Sequence, residues 1–257
     1  MCDLVSVSEA RESGVIVKLL EKIAAWKEMA SLLFDPPSLF HHLHSLDWYR
    51  GALVGALPYT LKNMADLSVL EVGCATGDFC GLMSEMGACV FGVDRSHDMV
   101  RHAKRAHDSV RFEVADAQSL PFGDRAFDFV FAASLLNVVN DPSRVLREMV
   151  RVCRPDGVIA LMVPSAEFST TEAKRWVRAQ GLPARENAAY MAWHRLAKKV
   201  SSEKLMNWIN EAGLANVRLE SHCLLGGLVR VVHVYPSGTN QPKTILKTVD
   251  MLAPIEF

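Results

Sequence analysis

The residues whose types and spacing carry the most chemistry are Glu71, Gly73, Gly77 and Asp94. The segment Glu71-Val72-Gly73-Cys74-Ala75-Thr76-Gly77-Asp78-Phe79 ends an apolar run in a turn of small residues that opens a helical pattern. Backbone amides in such a turn approach a ligand closely and meet the positive end of the helix, which suits a nucleotide or a carboxylate. Asp94 closes the next apolar run. A carboxylate there accepts hydrogen bonds from both hydroxyls of a ribose, which neutral side chains do less well. The plainer alternative for Asp94 is an N-cap before Ser96-His97-Asp98, a place that Ser96 fills equally well. A nicotinamide-type Gly-x-Gly-x-x-Gly counted from Gly73 requires glycine at 75 and 78, where the chain has Ala75 and Asp78, so the dinucleotide pattern is weak.

Other reactive side chains form less specific patterns. His41, His42 and His44 cluster with Trp48 and Tyr49, but no acid or cysteine stands at a matching interval, so no metal is expected. The six cysteines, at 2, 74, 80, 89, 153 and 223, form no Cys-x-x-Cys pair and read as reduced thiols of a cytoplasmic protein.

The elements that must position these residues follow from periodicity. Apolar residues at helical spacing over 15–33 give an amphipathic helix, which Asp35-Pro36-Pro37 stops, and a second helix runs from about Ser38 to Met64 with a bend near Gly51 or Pro58. Short apolar runs then alternate with helices: Ser68–Gly73, Ala88–Asp94, Val110–Val114, Phe127–Ala132 and Gly157–Val163. Such runs are buried parallel strands, and the alternation gives an α/β doubly wound sheet. Asp141-Pro142 starts a helix that Pro155-Asp156-Gly157 ends. Residues 165–199 interrupt the alternation as a helical insertion over the ligand edge of the sheet, before a helix at Ser202–Ala212 and strands at Asn216–Ser221 and Leu228–Tyr235. The expected organisation is one domain: an N-terminal helical cap (1–64), a core (65–236) with its lid (165–199), and a tail (237–257).

Composition sets limits. With 257 residues, half of them hydrophobic, the chain can bury a substantial core. Its 28 basic and 29 acidic side chains argue against the broad cationic face of a nucleic-acid binder, though a local basic patch is compatible with them. No run approaches the length of a membrane span, and the N-terminus has no export pattern.

The turn resembles motif I of the class I S-adenosylmethionine-dependent methyltransferases, an acid followed by Gly-x-Gly-x-Gly, matched by Glu71, Gly73 and Gly77 with Ala75 as a departure. The turn tolerates that extra methyl group provided Ala75 keeps a negative φ. Val114-Ala115-Asp116-Ala117-Gln118-Ser119-Leu120-Pro121-Phe122 is similar to the family's adenine-binding segment, in the form found in quinone-biosynthesis-type and other small-molecule enzymes. Phe127-Asp128-Phe129-Val130, Asn140-Asp141-Pro142 and Arg154-Pro155-Asp156-Gly157 follow in the family's order, so the resemblance covers roughly residues 66–164. It implies a seven-stranded, mostly parallel Rossmann-like sheet and S-adenosylmethionine as cofactor, with S-adenosylhomocysteine as product. It also implies contacts to the cofactor from Glu71, Gly73, Cys74, Ala75, Gly77, Asp94, Arg95, Asp116, Ala117 and Ser134.

Methyl transfer from a sulfonium is an in-line displacement with an activated leaving group, so the protein's task is to align a small-molecule acceptor, exclude water and, where needed, remove a proton. His194, inside the lid, is the first candidate for a general base, and a surface histidine is the plain alternative. Asn137 stands where related enzymes often carry a histidine facing the acceptor; with Tyr49 and Trp193 it makes up the expected acceptor contacts. Ser134-Leu135-Leu136-Asn137 does not resemble the Asn/Asp-Pro-Pro-Tyr/Phe motif of nucleic-acid amino methylases. Two other classes stay open: a non-catalytic cofactor-binding or scaffold subunit, and a nicotinamide-dependent dehydrogenase.

Overall fold

The apolar runs build a sheet covered on both faces. The computed structural model describes residues 19–25, 27, 35–58, 64–236 and 245–246. Its strands are β1 (Ser68–Val72), β2 (Cys89–Asp94), β3 (Arg111–Val114), β4 (Phe127–Ala133), β5 (Cys153–Pro164), β6 (Arg218–Leu224), β7 (Val229–Tyr235) and a two-residue β8 (Ile245–Leu246). The order across the sheet is β3-β2-β1-β4-β5-β7-β6-β8. β1 to β5 run parallel, β7 is antiparallel to both β5 and β6, and β8 pairs parallel with β6. The expected seven-stranded, mostly parallel sheet is therefore present, with β8 as a short addition at its edge.

β1 lies between β2 and β4, and successive side chains leave it to opposite faces. Val69 joins Phe79, Phe129 and Phe131 in one apolar layer. Leu70 and Val72 join Val130, Leu146 and Ile159 in the other. Three helices of the alternating region cover these faces: α3 (Asp78–Glu85), α4 (His97–Ala106) and α5 (Pro142–Val152). α5 starts as expected: the Asp141 carboxylate accepts from Arg144 N at 2.9 Å and Pro142 occupies the first turn, where no amide donor is needed.

Several boundaries differ from the sequence expectation. The expected helix over 15–33 lies outside the described residues except for 19–25 and 27, which are helical. The second helix divides into α1 (Pro36–His44) and α2 (Asp47–Gly55), parted at Ser45-Leu46 rather than bent at Gly51. There the Ser45 hydroxyl donates to His42 O at 2.7 Å and caps the end of α1. Asp35-Pro36-Pro37 starts α1, with the Asp35 carboxylate accepting from Ser38 N and Ser38 Oγ. β5 begins at Cys153, opposite Phe127, and the register shifts before Val158 pairs with Phe129. Pro155-Asp156-Gly157 is thus a bulge within the strand and not the turn that precedes it. Residues 225–227 form a 3₁₀ turn between β6 and β7.

The lid consists of α6 (Thr170–Gln180) and α7 (Ala184–Leu196), followed by α8 (Ser202–Glu211). A bridge between Ser165 and Val200 closes its base, with Val200 N donating to Pro164 O at 2.8 Å and Ala166 N to Val200 O at 3.0 Å.

Candidate functional site

The turn between β1 and α3 is set by backbone geometry. Gly73 and Gly77 have φ of +79° and +77°. A Cβ on Gly77 would also stand 2.5 Å from the Phe112 ring and 3.0 Å from Ala103, so both conformation and packing require glycine there. Gly77 caps α3 without any side-chain hydrogen bond, so the cap itself occupies no first-turn amide, while the Cys80 amide is turned to Glu71. Ala75 does not meet the condition of a negative φ: its φ is +47°. The left-handed conformation costs an alanine on the order of 1–2 kcal/mol, and such strain concentrates at functional sites. Ser134, at the end of β4, has φ of +50° and is the second strained residue at this edge of the sheet.

Asp94 holds the turn in place. One carboxylate oxygen accepts from Ala75 N at 3.1 Å and the other from Ser96 N at 2.8 Å. The cap of α4 is Ser96, whose hydroxyl accepts from Met99 N, so the N-cap alternative for Asp94 falls to its neighbour. Two backbone donors keep the carboxylate oriented, and each oxygen retains a lone pair for a hydroxyl.

Glu71 lies beneath the turn, 4% exposed, and accepts a hydrogen bond from the Cys80 thiol at 2.9 Å. Burial pushes its carboxyl up to about 8; Asp78 and Asp94 add to the rise, and the Cys80 bond opposes it. Cys74 is also buried, its thiol 3.9 Å from Ala75 O. Burial, followed by the charge of Glu71, raises the Tyr49 phenol above its ordinary range.

Two buried polar atoms after β4 lack a protein partner: Ser134 Oγ and Asn137 Oδ1. Buried polar atoms are seldom left unpaired; Trp48 Nε1, His194 Nδ1 and Arg230 Nε are others among the described residues without a partner. Both Ser134 and Asn137 are implicated from sequence, and both follow the carboxyl end of β4. Asp116 is exposed, its carboxylate accepting from Gln118 N at 2.9 Å, with Ala117 half-buried beside it. Arg95 is exposed at the start of α4.

The cap and lid meet in an aromatic seam. Trp193 of α7 stacks on Trp48 of α2 with ring centroids 6.0 Å apart and meets Tyr49 edge-on at 5.1 Å. Trp48 also meets Tyr190 at 5.4 Å, and Tyr190 stacks on Trp176 at 4.7 Å. The structure thus brings Tyr49 and Trp193 together. His194 is placed otherwise. It is 1% exposed, Nε2 lies 3.1 Å from Thr170 Oγ1, and its ring meets Phe168 edge-on. Burial first, then the charges of Lys199 and Arg195, lowers its pKa. These surroundings suit a neutral imidazole that ties the lid together more than a base facing an acceptor.

One cluster was not anticipated. Asp78, in the first turn of α3, accepts from Thr76 Oγ1 at 2.5 Å and lies 3.1 Å from His41 Nδ1, 3.4 Å from His44 Nδ1 and 3.9 Å from His107 Nε2. Burial would raise its pKa, but His44 and Thr76, then the charges of His44 and His41, outweigh that and hold it at about 2. Asp78 and the three histidines wall a cleft of about 230 Å³ with Arg50, Phe79 and Glu85. The histidines at 41 and 44 are thus engaged by a carboxylate. Among the described residues, no three or more His, Cys, Asp or Glu side chains are arranged to hold a metal.

Comparison with known proteins agrees with this geometry. Residues 70–161 match a family model described as a methyltransferase domain. A demethylmenaquinone methyltransferase of Renibacterium salmoninarum is 31% identical over 186 residues, covering 68% of this chain and 77% of the relative. A malonyl-[acyl-carrier protein] O-methyltransferase of Pseudescherichia vulneris is 26% identical, covering 69% and 70%. In fold, the chain is similar to a SAM-dependent methyltransferase from Aquifex aeolicus, with a TM-score of 0.54 at 19% identity over 78% of this chain and 97% of that one. A glycine turn tied to a strand-end aspartate, on a sheet of this order and in a chain this similar to the quinone methyltransferase, leads to one assignment: the protein belongs to the class I S-adenosylmethionine-dependent methyltransferases.

Proposed function

We propose that the chain methylates a small, largely apolar acceptor held between the turn after β1, the end of β4 and the aromatic seam. The observation that carries this reading is the pair of orphaned buried atoms, Ser134 Oγ and Asn137 Oδ1, beside a turn fixed by Asp94. When bound, S-adenosylmethionine supplies a methyl group on a sulfonium, open to in-line displacement. The protein's own residues then bind and orient. Asp94 accepts the ribose hydroxyls, and the uncapped amides at the start of α3 receive the carboxylate. Asn137, a neutral amide, accepts a hydrogen bond from the acceptor without taking its proton. Trp48, Tyr49 and Trp193 keep water from the reacting groups. Of the expected cap and lid, residues 35–58 and 165–199 act as the roof, and His194 serves the lid's packing. Of the acceptors that the relatives' names give, a ring such as demethylmenaquinone suits aromatic walls best.

The test is calorimetric titration with S-adenosylmethionine, S-adenosylhomocysteine and NAD, on the native chain and on Asp94→Ala. The first two should bind and NAD should not. Loss of a charge-assisted pair of hydrogen bonds should weaken binding in the variant by roughly 10- to 100-fold. Turnover is then followed as label passing from the methyl group into an organic-extractable product. Label appearing only in protein or nucleic acid would defeat the small-molecule reading.

A further inference from the structure

The lid concentrates positive charge that methyl transfer does not use. Residues 170–199 hold seven basic and two acidic side chains, in a chain whose totals of 28 and 29 nearly cancel. Lys174 and Arg178 of α6 and Arg195 of α7 line a single cleft of about 280 Å³, together with Lys22 from the helical residues 19–25. Spacing explains the convergence, since Lys174 and Arg178 are one turn apart on α6 and Met191 and Arg195 one turn apart on α7. Val177, Ala188 and Met191 make its apolar wall, and no acid is among the residues that line it.

Beside these cations lies an apolar arc turned to solvent. At about 100° per residue, Lys22 falls about 60° around the helix from Ala25, followed by Leu19 at about 120°, Ile23 at about 160° and Leu20 at about 220°. Ala25 is buried, whereas Leu19, Ile23 and Leu20 are 56%, 44% and 59% exposed. Lys27 falls inside the arc, and Glu21 lies on the far side of Ala25. Leu196, adjoining Arg195 at the end of α7, is 60% exposed.

Cations alone would fit a free anion, and leucines alone would fit another protein. Leucines next to lysine and arginine fit the boundary of a bilayer, where apolar side chains enter the acyl region and cations remain at the phosphates. We propose that this face, formed by residues 19–25 with the outer side of α6 and α7, docks on a membrane surface rich in anionic phospholipid. The attachment is peripheral: among the described residues no helix is long and apolar enough to cross a membrane.

Sedimentation of the full chain with phosphatidylcholine vesicles, with and without phosphatidylglycerol, tests this. Binding should require phosphatidylglycerol and weaken with added salt. Each cation removed should lower partition about fivefold, so Lys174→Gln/Arg178→Gln should bind about 25-fold more weakly. Leu19→Ser/Leu20→Ser should also release the protein, although all the cations remain. S-adenosylhomocysteine binding, unchanged in both variants, shows that they are folded and separates this docking from the cofactor site. Equal binding to both vesicle types, full retention by either variant, or capture of inorganic phosphate without any vesicle binding would overturn the proposal.

Discussion

At the scale of single residues, the site stores unfavourable free energy in places that ligand binding can use. Ala75 occupies a left-handed conformation, and its amide thereby points at Asp94. Glu71 is buried with its carboxyl pushed up to about 8. The sign of its effect on stability follows directly. Below its unfolded value, near 4, Glu71 is protonated in both states; between there and about 8 the folded protein holds the extra proton, so stability falls as pH rises through that window and then levels off. Glu71→Gln should remove this slope. Urea unfolding should show the variant and the native chain close together at pH 5 and the variant more stable at pH 8, by a few kcal/mol in order of magnitude. Parallel curves at both pH values would mean that Glu71 is ionised in the folded state throughout.

At the scale of elements, α1 is fastened to α3 through Asp78. Because its folded pKa is depressed to about 2, this carboxylate contributes stability above its unfolded value, and the contribution is lost as pH falls from about 4 toward 2. Asp78→Asn should therefore lower unfolding stability by about 1–2 kcal/mol at neutral pH, measured by denaturant titration, with the gap narrowing in acid. The sequence made some of these elements legible and hid others. β1, β2 and β4 were readable because buried parallel strands are continuous apolar runs, and α5 because Asp141-Pro142 is a local start signal. The break at Ser45-Leu46 was hidden because the apolar spacing continues through it, and the start of β5 because Cys153 pairs with the distant Phe127. The Asp78 cluster was hidden for the same reason: its imidazoles come from α1 and from beyond α4. His41 and His44 were noticeable only as a histidine group, whose partner the fold alone supplies.

At the scale of the molecule, two separate parts of the chain meet in one aromatic cluster. Trp48 and Tyr49 on one side pack against Tyr190 and Trp193 on the other, with Trp176 stacked on Tyr190. A double-mutant cycle on Trp48→Ala and Trp193→Ala should give a coupling of about 0.5–1.5 kcal/mol in unfolding free energy. Additive effects would mean that cap and lid are stabilised independently. Because the chain leaves the sheet at Ser165 and returns at Val200 across a single bridge, the intervening segment begins and ends at neighbouring points. Insertions or deletions within it can therefore be absorbed without moving the end of β5 or the start of α8, provided the contacts of Tyr190 and Trp193 outside the segment are kept.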